Sequence, residues 1–311
     1  MIIGTRGSKL AIVQTEKVCE RLKELGLGYK FTIKTVRSLG DVLTERALYD
    51  LPSEGAFVKR LDMLLLAGKI DIAVHSMKDI PLQRDESLET SAVLPRDSPY
   101  DVLVSRYRLD DMPNGATIGT SSVRRKFQIL NYLGERGIQV MIKDIRGNVD
   151  TRLKKFTRGD YDGVILAEAG LERLNVDIPY ELLDRSPFVP SPGQGIIAVV
   201  SRKGSEESEI LKQIDDAETR VEAEVEKEVL KALGGGCSLP VGVHACCKGK
   251  KVELTVYIGS TAENFLLQKI DLDKDRCLEE ARDFISRLLV DNPSYLKISS
   301  SSSFSSDMLR L

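Results

Sequence analysis

The stretch Ile70-Asp71-Ile72-Ala73-Val74-His75-Ser76-Met77-Lys78-Asp79-Ile80-Pro81 decides the fold. Its first five residues form a short apolar run with the length of a strand buried on both faces. The run stops in a polar cluster, and Pro81 forbids a simple continuation. Buried strands of this kind belong to helix-covered, largely parallel sheets, which bind ligands beyond the carboxyl ends of their strands.

The flanking chain has the matching elements. Residues 2–5 read as a strand, Ser8 stands at a helix N-cap, and Leu10, Val13, Val18, Leu22 and Leu25 form one buried stripe. A strand at 31–36 and an amphipathic helix carrying Phe57, Leu61, Leu64 and Leu65 follow. A second block repeats the alternation, with strands near 101–104, 117–120, 139–142 and 163–167 and helices over 121–135 and 149–156. The breaker-rich stretch Pro187, Pro190, Pro192, Gly193, Gly195 precedes one more apolar run, 196–200, which is expected to return to the first sheet and make a hinge. Residues 205–233 read as one long helix ending at Gly234-Gly235-Gly236; strands at 252–258 and 266–272 and a helix at 278–289 complete a small α+β domain.

The 311 residues, 42% hydrophobic and 30% charged, describe an ordinary soluble globular chain of two or three domains at about 100–200 residues each. No run approaches the roughly 18 apolar residues of a membrane span. The N-terminus starts directly on strand-like residues, so a cytoplasmic location is expected. A net charge of −2 disfavours a dedicated nucleic-acid binder. The five cysteines (Cys19, Cys237, Cys246, Cys247, Cys277) contain no C-x-x-C pair, so reduced thiols and no metal site are expected.

Four polar clusters fall at predicted strand ends or at the helix starts that follow: Thr5-Arg6-Gly7-Ser8, His75 to Asp79, Thr120 to Arg125 and Arg146 to Arg152. They bring Arg6, Lys78, Arg124, Arg125, Arg146 and Arg152 together with hydroxyls and helix N-terminal amides, a set suited to a ligand with several carboxylates or phosphates. Asp79 is an acid among these cations. It either neutralises Lys78 or stabilises a developing cation and moves a proton, and the residues alone leave both readings open. His75 reads as either a satisfied hydrogen-bonding core residue, the commoner case, or a catalyst, and Cys237 as either an inert thiol after a helix C-cap or an accessible attachment point on a glycine loop.

The ordered motifs 5–11, 71–79, 119–125, 146–153 and 235–242 closely resemble the hydroxymethylbilane synthase (porphobilinogen deaminase) family, from residue 2 to the last helix. The resemblance implies two lobes like those of type II periplasmic binding proteins, joined by a hinge, plus a small C-terminal α+β domain. The expected boundaries are 1–95 with 195–212, 100–190 and 216–298, followed by a Ser-rich tail at 299–311. It further implies a dipyrromethane cofactor held by a thioether to Cys237. The reaction would be stepwise deamination of porphobilinogen through a methylene-pyrrole, head-to-tail condensation onto the primer, and release of hydroxymethylbilane by water, carried out by a monomer. Position by position, Arg6, Ser8, Arg124, Arg125, Arg146, Arg152 and Arg173 match carboxylate-binding residues. Lys78, Thr120, Ser121 and Ser122 match cofactor contacts; Gln14, Leu166, Ala167, Gln194 and Gly195 match further cleft positions; Asp79 matches the catalytic acid. Glu54 departs from the family, where a lysine is common, and Gly234-Gly235-Gly236-Cys237-Ser238 stands where Glu-Gly-Gly-Cys-Gln is common. Two alternatives remain at this stage: a non-catalytic two-lobed anion receptor, and a transferase using Cys237 as a transient nucleophile.

Overall fold

The computed structural model describes residues 1–36, 56–235, 240–259 and 264–295. Cys237, Glu54 and the tail at 299–311 lie outside the described residues.

Strands β1 (Ile2–Arg6), β2 (Thr32–Val36), β3 (Ile72–Ser76), β4 (Leu88–Val93) and β10 (Ile197–Arg202) form a sheet ordered β2-β1-β3-β10-β4. Strands β5 (Asp101–Ser105), β6 (Thr117–Gly119), β7 (Met141–Lys143), β8 (Gly163–Ala167) and β9 (Glu181–Leu182) form a second, ordered β7-β6-β8-β5-β9. The orders correspond strand for strand: β1 with β6, β2 with β7, β3 with β8. In both sheets these three run parallel and the fourth is antiparallel to its neighbour. Two sheets of one topology thus make two lobes, as the resemblance implies. The sheets are therefore mixed rather than largely parallel, because the chain crosses between lobes and enters β5 and β10 from the opposite end.

Alternation along β3 packs it on both faces. Ile72 and Val74 meet α1 (Lys9–Glu24) at Val18, Cys19 and Leu22, while Ala73 meets α2 (Ala56–Leu66) at Leu61 and Leu65. Each such fully buried leucine contributes about 1.5–3 kcal/mol. The corresponding strands β1 and β6 each carry a glycine under a close neighbour. A β-carbon at Gly4 would lie 2.3 Å from Ile70 Cδ1, and one at Gly119 would lie 2.9 Å from Tyr161 Cδ1. In the second lobe α3 (Val123–Gly134), α4 (Val149–Thr157) and α5 (Glu168–Arg173) cover the sheet, with Ile129 and Leu133 on one face and Leu153 and Leu171 on the other.

The run at 196–200 enters the first sheet as β10, so the chain crosses between lobes twice. The crossings touch: Asp97 N donates to Gly195 O at 3.1 Å, and Gly195 has φ +87° with Asp97 O where a β-carbon would sit. Only glycine tolerates both conditions.

The predicted single helix over 205–233 is two, α6 (Glu206–Leu211) and α7 (Ala217–Ala232). The apolar period runs through the break, but the side chains of Asp215 and Asp216 end it. Asp215 accepts from Val93 N at 2.7 Å, and Asp216 caps α7 by accepting from Thr219 N at 2.8 Å. The third sheet has three antiparallel strands, β11 (Val241–Lys248), β12 (Lys251–Gly259) and β13 (Phe265–Asp273), covered by α7 and α8 (Cys277–Asp291). Strand β11 was not anticipated; its cysteines, histidine and glycine blur the alternation. Glu226 of α7 joins this domain to both crossings, accepting from Arg96 Nη1 at 2.7 Å, Gly193 N at 2.6 Å and Ala245 N at 2.9 Å.

Candidate active site

A cavity of about 440 Å³ opens between the two lobes at the ends of β1, β3 and β8. Among the described residues, its cationic lining groups are Arg6, Lys78, Arg125, Arg152 and Arg173, against one carboxylate, that of Asp79. Ser8 and Asn148, the N-caps of α1 and α4, also line it, so two helix N-termini add partial positive charge.

In the first lobe, β3 continues through Ser76, two residues beyond the predicted strand, and turns at Met77–Asp79 in one 3-10 turn. The turn leaves Asp79 exposed at the rim, where its carboxylate lies 3.7 Å from Arg6 Nη1. Both side chains keep a third or more of their surface exposed, so this pair is worth little as a stabilising contact. Gln14, buried on α1, donates to Ser76 Oγ at 2.9 Å. Ser8 Oγ accepts from Ala11 N at 3.3 Å and so starts α1.

In the second lobe the cations are fixed. Adjacent residues on a helix point about 100° apart, and Arg124 and Arg125 diverge accordingly. Arg124 Nη1 donates to Asp101 Oδ2 (2.8 Å), Gln128 Oε1 (2.9 Å) and Val189 O (2.8 Å), away from the cavity lining. Arg125 lines the cavity while Nη2 donates to Asp101 Oδ1 (2.7 Å) and Nη1 to Ile165 O (3.0 Å). Burial works against a charged Asp101, yet Arg124 and Arg125 prevail and hold its carboxyl well below the usual range. Arg152 lines the cavity with Nε on Gly147 O at 2.8 Å. Arg173 lines it too, bonding Asp97 (2.7 Å) and Gly195 O (2.6 Å) and so gripping both crossings.

Gln194 bridges the lobes. Its Nε2 donates to Asp101 Oδ1 at 2.8 Å, and its Oε1 accepts from Lys78 Nζ at 3.3 Å. Burial, and then the charge of Arg125, push the Lys78 ammonium down to about 8.

The sequence-predicted residues separate into groups. Arg6, Ser8, Gln14, Lys78, Asp79, Arg125, Arg152, Leu166, Ala167, Arg173 and Gly195 share the cavity lining. Arg124 and Gln194 are buried beside it. Thr120 Oγ1 accepts from Ser122 N, Ser122 Oγ accepts from Arg125 N, and Ser121 Oγ donates to Ile145 O; all three build the start of α3. Arg146 is exposed outside the lining. Sequence reasoning missed Asp101, the anion on which both guanidiniums depend. An acid heading the apolar run 101–104 was its only local signal. Ser76, Val149 and Asn148 were also unassigned.

Residues 1–210 match the family model described as porphobilinogen deaminase, dipyromethane cofactor binding domain, and residues 219–276 match porphobilinogen deaminase, C-terminal domain. A probable porphobilinogen deaminase of Methanocella arvoryzae is 48% identical over 257 residues, 82% of each chain. Another from Archaeoglobus fulgidus is 44% identical over 287 residues, 91% of this chain and 95% of that one. Among solved structures, the substrate binding domain 2 of Lactococcus lactis GlnP matches 75% of this chain and 89% of its own at 11% identity, with a TM-score of 0.40.

Proposed function

The chain belongs to the porphobilinogen deaminase family, and on that premise we propose that it is a hydroxymethylbilane synthase, joining four porphobilinogen units on a dipyrromethane tethered to Cys237. The observation that carries the reading is the pairing of Arg6 and Asp79 at the rim of a cavity whose other charged lining groups, among the described residues, are cations.

The cavity chemistry fits a polycarboxylate. Arg125, a cavity-lining guanidinium, has its Nε buried without a hydrogen-bond partner. Each pyrrole unit of this substrate class brings an acetate and a propionate arm. Arg6, Arg125, Arg152 and Arg173, with the start of α1 at Ser8, would bind those arms, and Arg146 would extend the basic surface outward. Lys78 would contact the cofactor. Arg124 would act through Asp101 by holding it against Arg125, while Thr120, Ser121 and Ser122 would set the helix start that aims Arg125. Gln14, Leu166, Ala167, Gln194 and Gly195 would shape the walls. The dipyrromethane, when bound, supplies the nucleophilic ring carbon to which each new unit is joined.

Asp79 is the reacting group of the protein itself. Loss of ammonia from the substrate leaves positive charge on the pyrrole, and the Asp79 carboxylate at the rim stabilises that charge. The same carboxylate accepts the ring proton that is released on coupling. Arg6 Nη1, 3.7 Å from this carboxylate, helps hold it at the rim of the cavity.

The division into lobes at 1–95 with 195–212 and 100–190, a domain at 216–298, a monomeric state and a cytoplasmic location belong to the same proposal. Among the described residues no helix is long and apolar enough to cross a membrane. The receptor alternative is not favoured, since family models of the deaminase match both the cofactor-binding part and the C-terminal domain. Intact-mass analysis of freshly purified protein tests the reading. It predicts added mass equal to a dipyrromethane, lost in Cys237→Ser together with activity. Unmodified protein that consumes porphobilinogen at full rate would overturn it.

A further inference from the structure

Among the described residues, three buried side-chain polar atoms lack a hydrogen-bond partner: His75 Nε2, Arg125 Nε and Asn131 Oδ1. Two of the three belong to residues of the cavity lining. Native proteins leave few such atoms unpaired, so each calls for an explanation, and at a cavity wall a ligand met by a small side-chain turn is one. For Arg125 this restates the assignment above. For His75 it is new, because the sequence suggested a satisfied core residue.

The placement of His75 is set by the sheet. Ile3 pairs with Ile72 and Gly4 with Ala73; extended by two residues, that register puts Arg6 level with His75 on the face that α2 covers, and the charge of Arg6 reaches the ring. On its other side His75 pairs with Ala198 of β10, whose small side chain leaves room for the ring. The ring is only 5% exposed yet belongs to the cavity lining. Burial, then the charges of Arg84 and Arg6, push the imidazole down to about 3, so it is neutral at physiological pH. Arg84 is already paired with Asp62 and turns its charge inward. A 180° turn about Cβ–Cγ keeps the ring in its slot and exchanges the edges that carry nitrogen.

We propose that His75 is a further ligand-binding residue of this site, a neutral imidazole whose N–H joins Arg6 in holding a carboxylate arm of the bound pyrrole. A neutral donor among cations suits this task. It adds a directed hydrogen bond to an anion already attracted by Arg6, without adding repulsion to a wall that holds several positive charges. The inference rests on the cavity being the porphobilinogen site.

The chain has only two histidines, and His244 lies buried in β11 of the C-terminal domain. ¹⁵N-histidine labelling of the holoenzyme therefore gives one reporter and one internal reference. Stoichiometric porphobilinogen should shift the His75 ring nitrogens and leave those of His244 in place. Consumption of porphobilinogen with His75 unmoved would overturn the inference; absence of consumption would instead remove the functional reading beneath it. In kinetics, His75→Phe should raise KM about tenfold with kcat changed less than threefold, as expected when one hydrogen bond to a charged group is lost, and His75→Gln should recover most of that loss. A folded His75→Phe enzyme with the parental KM would contradict the proposal. If that variant does not fold, the labelled parental enzyme decides.

Discussion

The two lobes share a strand order but treat their charged residues differently. In the second lobe Arg124 and Arg125 are buried and clamped by Asp101, and the assembly is locked before any ligand arrives. In the first lobe Asp79 and Arg6 sit 3.7 Å apart at an exposed rim on a short turn. On the proposed function, one sheet would supply a preorganised anion-binding wall and the other the reacting carboxylate. The same topology supports both because Asp79 stands on the turn after β3 and Arg125 on the helix that begins after β6.

The comparison breaks most severely at Asp101. Asp101→Ala leaves two buried guanidiniums uncompensated and should cost about 3–5 kcal/mol of stability, read by urea unfolding. The sign with pH follows from its depressed folded value: the stabilisation is fully present above the ordinary carboxylate value of 3.8 and is lost as pH falls through the lower value of the folded state. The parental protein and Asp101→Asn should therefore converge in stability only in strong acid. A variant as stable as the parent at pH 7 would show that the wall is not locked by this ion pair.

The first lobe predicts the opposite behaviour. Asp79→Asn should leave the melting temperature within about 2 °C, because the half-exposed pair contributes at most about 1 kcal/mol, while kcat drops about 10²–10³-fold or more. A large loss of stability in Asp79→Asn would erase the contrast between the lobes.

Lys78 lies at the seam between them. Its ammonium, lowered to about 8, is mostly charged at pH 7 and loses that charge as pH rises through this value. kcat/KM should therefore fall about tenfold per pH unit above its alkaline pKa, at 8 or higher once ligand carboxylates are near, and Lys78→Arg should flatten this limb. An unchanged alkaline limb in Lys78→Arg would assign it elsewhere. The smallest expected effect is outside the site: Asp216→Ala removes the N-cap of α7 and should cost about 1 kcal/mol with no change in KM. A changed KM in that variant would connect the C-terminal domain to ligand binding through Glu226.

Much of this arrangement was legible in local sequence. Ser8 stands as an N-cap where the pattern put it, the helix read over 121–135 begins after its N-cap Ser122, and the polar rim after Val74 follows from an apolar run that ends abruptly. Long-range pairing was not legible. Asp101 meets arginines 23 and 24 residues away, and the neighbours Arg124 and Arg125 looked equivalent until helix geometry separated them. The break at Asp215-Asp216 escaped notice because the apolar period continues across it. His75 was misjudged for a related reason: burial can be read from an apolar run, but whether a ring nitrogen finds a partner cannot.

The central claim is that chain growth occurs beside Asp79 within this cavity, and intact-mass spectrometry of holoenzyme mixed with limiting porphobilinogen tests it most directly. The parental enzyme should show discrete mass steps, one per added pyrrole, while Asp79→Asn retains the primer mass with no steps on the same time scale. An Asp79→Asn protein that climbs the same ladder at the parental rate would contradict the account.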